Sequence, residues 1–227
     1  MNKTSPNLVA LPEAPRTRSP VPWLTSLHGT PGRGNYGDPG YRGNCSGLLI
    51  KDLLNYYQPK RVLDPMQGGG TCRDVCKELG IAYEGRDLKY GFDATDPEGF
   101  AELGRFDFVW LHPPYWNMVP YNRENDRCLS NAPTVEDFVV ALQAVLRNCR
   151  KVLLPQGKLA ILMGDGKHEG HYLGLPFRTF NAAVAEGLVL AAPEVIRFSH
   201  GTTSSGKVYT TSFIPRVHDV CLVFGLA

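Results

Sequence analysis

The chain has 227 residues, of which 43% are hydrophobic and 20% charged, with a formal net charge of +2. A chain of this length buries roughly 70% of its unfolded surface, so a core forms without disulfide or metal staples, and a disordered or fibrous chain is excluded. The charge is uneven: Lys3, Arg16, Arg18, Arg33 and Arg42 face only Glu13 and Asp38 in the first 43 residues, which leaves the remainder close to neutral and without a bulk attraction for polyanions.

The first 27 residues, with Pro at 6, 12, 15, 20 and 22, read as an extended arm. The opening lacks the apolar core of a secretory leader. The most apolar stretch, 182–196, is broken by Glu186, Gly187 and Pro193, so a cytoplasmic protein without membrane spans is expected. Residues 28–43 follow with six glycines and predict a mobile loop. The organisation expected is a Pro/Gly-rich arm and loop over 1–43 and one domain over 44–227.

From Ser46 the pattern turns periodic. Leu48, Leu49, Leu53, Leu54 and Tyr57 predict a helix behind an Asn44 or Ser46 cap. A strand at 61–64 runs through a Gly-rich turn into a helix over 71–79 that stops at Gly80. Strands are expected at 81–87, around Tyr90–Asp93 and at 106–111, with a helix over 97–104 between the last two. Thr134 and Asp137 open a long amphipathic helix, and 158–164 is an apolar strand. A helix at 175–187, a strand broken at Pro193 and a closing strand over 217–225 complete the chain. Alternating strands and helices predict a single doubly wound α/β domain around a mostly parallel sheet, whose ligands sit at the carboxyl ends of the strands.

Six cysteines (45, 72, 76, 128, 149, 221) show neither C-x-x-C nor zinc-finger spacing, and buried free thiols are expected. Asp165, His168 and His171 share a Gly-rich loop too loose to specify a metal site, so no metal is assigned.

The strongest local signal is VLDPMQGGGT, from Val62 to Thr71. A buried strand ends in an acid, and three glycines lead into a helix N-terminus. A phosphate-cradling P-loop would need Lys-Ser/Thr where Thr71-Cys72 stands. A dinucleotide fingerprint would need glycine at Arg73. What remains suits a nucleoside bearing a positive charge, with Asp64 towards the charge and Asp87 towards ribose hydroxyls. The second signal is FDFVWLHPPYWNM, from Phe106 to Met118. Pro113-Pro114 forces a rigid excursion at a strand end, presenting His112, the Pro113 carbonyl, and the rings of Tyr115 and Trp116 to a flat heterocycle with an exocyclic amine.

Together these motifs resemble the S-adenosylmethionine-dependent amino-group DNA methyltransferases, which make N6-methyladenine or N4-methylcytosine. Asp64-Pro65-Met66-Gln67-Gly68-Gly69-Gly70-Thr71 is similar to that family's Asp-Pro-Phe-x-Gly-Ser-Gly-Thr, and His112-Pro113-Pro114-Tyr115 to its Asp/Asn/Ser-Pro-Pro-Tyr/Phe/Trp. Tyr41-Arg42-Gly43-Asn44 resembles the segment that grips the methionine end of the cofactor, Asp87 the acid after the second strand, and Asp93 the contact to the cofactor's adenine amine. The likeness covers about residues 41–225 and departs at His112.

The resemblance implies a seven-stranded, mostly parallel sheet of the class I methyltransferase type and S-adenosyl-L-methionine as cofactor. It implies a cofactor site of Arg42, Gly43, Asn44, Asp64, Pro65, Met66, Gly68, Gly70, Thr71, Asp87 and Asp93, and a catalytic loop of His112, Pro113, Pro114 and Tyr115. The implied partner is double-stranded DNA with the target base flipped onto Tyr115, as in restriction–modification, with a slight lean towards adenine. An RNA amine methyltransferase using the same motifs, and a catalytically retired binding protein, are the alternatives. No Pro-Cys pair is present for carbon-5 cytosine chemistry. Segments 116–133, 166–175 and 198–216 and the arm remain for reading the target.

Overall fold

The computed structural model describes residues 13–30, 32–198, 212–214 and 216–227. In chain order the elements are β1 (Leu27–His28), α1 (Gly47–Tyr57), β2 (Arg61–Asp64), α2 (Thr71–Leu79), β3 (Ala82–Gly85), α3 (Glu98–Ala101) and β4 (Phe106–Leu111). They continue with α4 (Val135–Val152), β5 (Leu153–Met163), β6 (Lys167–His168), β7 (His171–Tyr172), α5 (Leu175–Ala185), β8 (Leu188–Leu190), β9 (Val195–Phe198) and β10 (His218–Leu226).

Eight strands form one sheet in the order β1-β9-β10-β5-β4-β2-β3, with β8 also paired to β10. The β3, β2, β4 and β5 half is parallel, and β10 runs antiparallel to β5, β8 and β9. This is the doubly wound α/β fold expected. Alternation along the strands divides the core in two: Leu63, Val109, Leu111, Ile161 and Phe224 pack under α4 and α5, while Val62, Phe108, Trp110, Leu162 and Val223 pack under α1 and α2. Each large apolar side chain so buried contributes on the order of 2 kcal/mol.

Local chemistry fixes the element ends. Ser46 caps α1 by accepting the Leu48 N–H. Thr134 and Asp137 form a reciprocal capping box on α4. Pro193 separates β8 from β9, and both halves pair with β10.

Three expectations are corrected. The strand around Tyr90–Asp93 is absent: the Asp87 carboxylate accepts the Lys89 N–H, and Gly91 at φ 87° closes a 3-10 turn over Leu88–Tyr90, which leaves β3 at the sheet edge. The helix over 97–104 contracts to the single turn of α3. The described part of segment 1–43 belongs to the body: β1 adds to β9 and Val21 is buried. At its far end the glycine-rich loop meets the glycine turn, where the Asp38 N–H donates to the Gly69 carbonyl and the Gly37 N–H to Asp74. Among the described residues no helix is long and apolar enough to cross a membrane.

Candidate active site

The carboxyl ends of β2, β3 and β4 open onto one cleft of about 780 Å³, mouth included. Gly43, Asn44, Asp64, Pro65, Met66, Gly68, Thr71, Asp87, Asp93, His112 and Pro114 all line it, so the two sequence motifs meet in one place. Arg42, Gly70, Pro113 and Tyr115 do not line it. Arg42 points to solvent, and Gly70 acts from behind as the left-handed N-cap of α2 at φ 81°.

Asp64 sits at the end of β2 and is 2% exposed. Burial pushes its carboxyl up to about 7; the Met66 N–H opposes this and the nearby Asp87 charge adds to it. The Tyr83 hydroxyl is its other polar neighbour, at 3.4 Å. A buried acid poised at neutrality is a receptor for a cation.

The glycine turn is internally satisfied. The Gln67 N–H donates to the Arg86 carbonyl, the Gly68 N–H to Asp87 at 2.7 Å, and the Gly70 N–H to the Gln67 carbonyl. Those amides are therefore spent within the turn, which rules against a pyrophosphate cradle built from them. Asp87 also accepts the Lys89 N–H through its other oxygen, so a ribose hydroxyl would use its remaining lone pairs.

The sequence reading missed Tyr41, Gln67, Tyr121, Arg127, Cys128 and Leu129 as lining residues, although Tyr41 lies inside a quoted motif. Segment 116–133 folds over the cleft. The Tyr121 ring stacks on Tyr41 at 5.9 Å, and Arg127 Nε approaches Asp93 at 4.0 Å. A methyl at Gly43 would lie 2.0 Å from the Tyr121 hydroxyl, so glycine there admits the tyrosine. Asn44 bonds Thr71, tying the N-terminal segment to α2.

The His112–Tyr115 loop is turned differently from the expected presentation of its rings. Tyr115 does not present its face to the cleft: its hydroxyl lies 2.9 Å from His112 Nε2, and its ring lies against Gly164, where a methyl would fall 2.2 Å from it. Glycine at the end of β5 is what lets the ring turn inward. Trp116 is buried too, donating from Nε1 to the Ala132 carbonyl at 2.8 Å and meeting His168 edge-on. Burial lowers His112 to about 4, and Arg197 pushes the same way, so the ring is neutral at physiological pH. Burial raises the Tyr115 phenol, which stays protonated. Among the described residues no group of three His, Cys, Asp or Glu side chains is arranged to hold a metal, and all six cysteines are free and buried.

No protein-family model matches the chain, and no curated protein does. Among solved structures, TrmN from Thermus thermophilus is similar over 82% of this chain and 50% of its own, at 17% identity and TM-score 0.48. A candidate DNA modification methylase, also from Thermus thermophilus and in complex with S-adenosyl-L-methionine, is similar over 59% of this chain and 53% of its own, at 22% identity and TM-score 0.42. A SAM-dependent methyltransferase from Archaeoglobus fulgidus is similar over 81% of this chain and 96% of its own, at 15% identity and TM-score 0.48. The chain spans about half the length of the first two.

Proposed function

We propose that this protein is an S-adenosylmethionine-dependent methyltransferase acting on the exocyclic amine of a nucleic-acid base, adenine N6 or cytosine N4, in duplex DNA. One observation carries the reading. A buried carboxyl poised near neutrality, Asp64, shares a single cleft with a neutral, proline-fixed His112 loop. The cation-receiving end and the amine-receiving end are thus adjacent.

The residues present fit the cofactor: an acid for positive charge, half-buried acids at Asp87 and Asp93 for hydroxyl and amine donors, and apolar walls from Met66, Phe92 and Leu129. When bound, S-adenosyl-L-methionine supplies an electrophilic methyl group on a sulfonium. Asp64 holds the charge of the methionine end, Asp87 and Asp93 orient the nucleoside, and Tyr41 with Tyr121 excludes water at the mouth.

His112, which lines the cleft, accepts a hydrogen bond from the target amine and localises its lone pair. In the tautomer whose Nε2–H donates to the Tyr115 oxygen, His112 carries its lone pair on Nδ1 and is an acceptor there. Tyr115 is a positioning residue that holds the imidazole ring in place. No side chain needs to form a covalent bond to the base.

The test is to incubate the protein with methyl-labelled S-adenosylmethionine and, separately, duplex DNA and total RNA, then identify the modified nucleoside by mass. N6-methyladenine or N4-methylcytosine in DNA is expected. Label in RNA alone replaces the DNA assignment with the RNA one. Cofactor binding with no transfer to either establishes a retired enzyme.

A further inference from the structure

Three buried side-chain nitrogens among the described residues lack a hydrogen-bond partner, and all three are guanidinium nitrogens: Arg33 Nε, Arg197 Nε and Arg216 Nη1. Two of them belong to one cluster. Arg197 lies near the end of β9, directly across the ladder from Asp219 of β10, and the two side chains are paired. Arg216 approaches the other oxygen of Asp219 at 3.8 Å and donates to the Asp165 carbonyl. The two arginine side chains are only 12% and 21% exposed.

The charges do not balance. Two guanidinium groups share one carboxylate. Asp165 gives Arg216 its carbonyl, while one oxygen of its carboxylate accepts the Gly166 and Leu175 amides. His112 and Tyr115 beside the cluster add no negative charge, the first neutral and the second protonated. A buried donor left unpaired costs on the order of 1–3 kcal/mol, more when charged, and an anion that supplied acceptors here would relieve that cost. The position is specific. Both arginines act electrostatically on Tyr115, and Arg197 on His112 as well, so they lie beside the His112–Tyr115 loop. Antiparallel β10 brings Asp219 to the same sheet edge as the end of β5 and Gly164.

We infer that Arg197 and Arg216 form a subsite for a backbone phosphodiester of the target strand, next to the nucleotide whose base enters the His112 loop. The inference rests on the proposed nucleic-acid substrate. Guanidinium forks match phosphate oxygens in pairs, and Asp219 keeps both forks oriented before the strand arrives. The near-neutral body then needs no large basic face: a few pre-aimed donors place one phosphate, and the phosphate places the base.

The experiment measures anisotropy of a fluorescein-labelled mixed-sequence duplex DNA across a salt series, with S-adenosylhomocysteine present, for wild type and Arg216→Gln. The variant is expected to bind about tenfold more weakly, and its slope of log K against log salt is expected to shrink by roughly 0.9, one phosphate contact. Its affinity for S-adenosylmethionine by calorimetry should stay within twofold of wild type, which also shows that it folds. An unchanged salt slope in the folded variant overturns the subsite, as does a wild type with no affinity for DNA. If Arg216→Gln does not fold, Arg216→Lys is expected to keep the slope and lose several-fold affinity; full affinity in that variant overturns the inference. Failure of the wider reading looks different. DNA binding that loses slope in Arg216→Gln but never yields methylated base leaves the subsite standing and removes the methyl transfer.

Discussion

Asp64 makes the proposed cofactor site a pH-dependent one, and the direction follows from its environment. Its carboxyl is raised from 3.8 to about 7, a shift of some three pH units that corresponds to on the order of 4 kcal/mol between the protonation states. Because the folded value lies above the unfolded one, the favourable contribution is complete below pH 4 and is lost as pH rises through 7. The free protein therefore carries an uncompensated buried charge above pH 7. A cationic ligand supplies the compensation. Affinity for S-adenosylmethionine should fall about tenfold per pH unit below 7 and level off above 8, because binding requires the ionised acid. Calorimetry in two buffers of different ionisation enthalpy should show about one proton released at pH 6 and almost none at pH 8.5. Asp64→Asn keeps the hydrogen bond from the Met66 N–H but removes the charge, so its weaker binding should lose the dependence. Affinity flat from pH 5.5 to 8.5 in wild type, or undiminished in Asp64→Asn, would refute the role given to this acid.

Other consequences are equally direct. Gly164→Ala forces the Tyr115 ring and the Asp219 carboxylate away from a methyl 2.2 and 2.7 Å from them, and should lower kcat at least tenfold with cofactor affinity within twofold, by single-turnover and calorimetry. Tyr115→Phe removes the partner of His112 Nε2 and should reduce kcat more than it raises KM for DNA; equal kcat would remove the positioning role. At saturating cofactor the wild-type rate should be level between pH 5.5 and 8, since His112 titrates near 4; an acid limb near 6.5 would contradict its burial. Gly70→Leu places a side chain at φ 81° against the Arg73 guanidinium and should destabilise by about 1–2 kcal/mol in urea titration, with cofactor binding weakened through the displaced turn.

Most of the sheet was legible because strand and cap signals are local. Residues 106–111 form a strand with the expected bounds, and Thr134 with Asp137 makes the capping box its spacing implied. What escaped the sequence depended on choices between competing partners. At Tyr90–Asp93, strand propensity lost to the Asp87 carboxylate, which ties up the backbone in a turn. The cover over the cleft has no periodicity to detect, and its one sequence hint is glycine at 43, small enough for Tyr121. The inward turn of Tyr115 has no local signal either, since it depends on Gly164, about fifty residues later, to admit the ring.

The two ends of the cleft bear on one another through charge. Burial moves Asp64 up to about 7 and His112 down to about 4, so each group leans towards its neutral form. A ligand that fits must therefore bring positive charge to the Asp64 end and none to the His112 end. A nucleophilic amine meets the second condition, since only its neutral form has a lone pair to give. A second cation beside His112 would meet the repulsion of Arg197, which already disfavours an imidazolium there. The site thus separates a cationic donor from a neutral acceptor before either is bound. Electrostatic order, more than any one reactive side chain, is what the chain would contribute to the proposed methyl transfer.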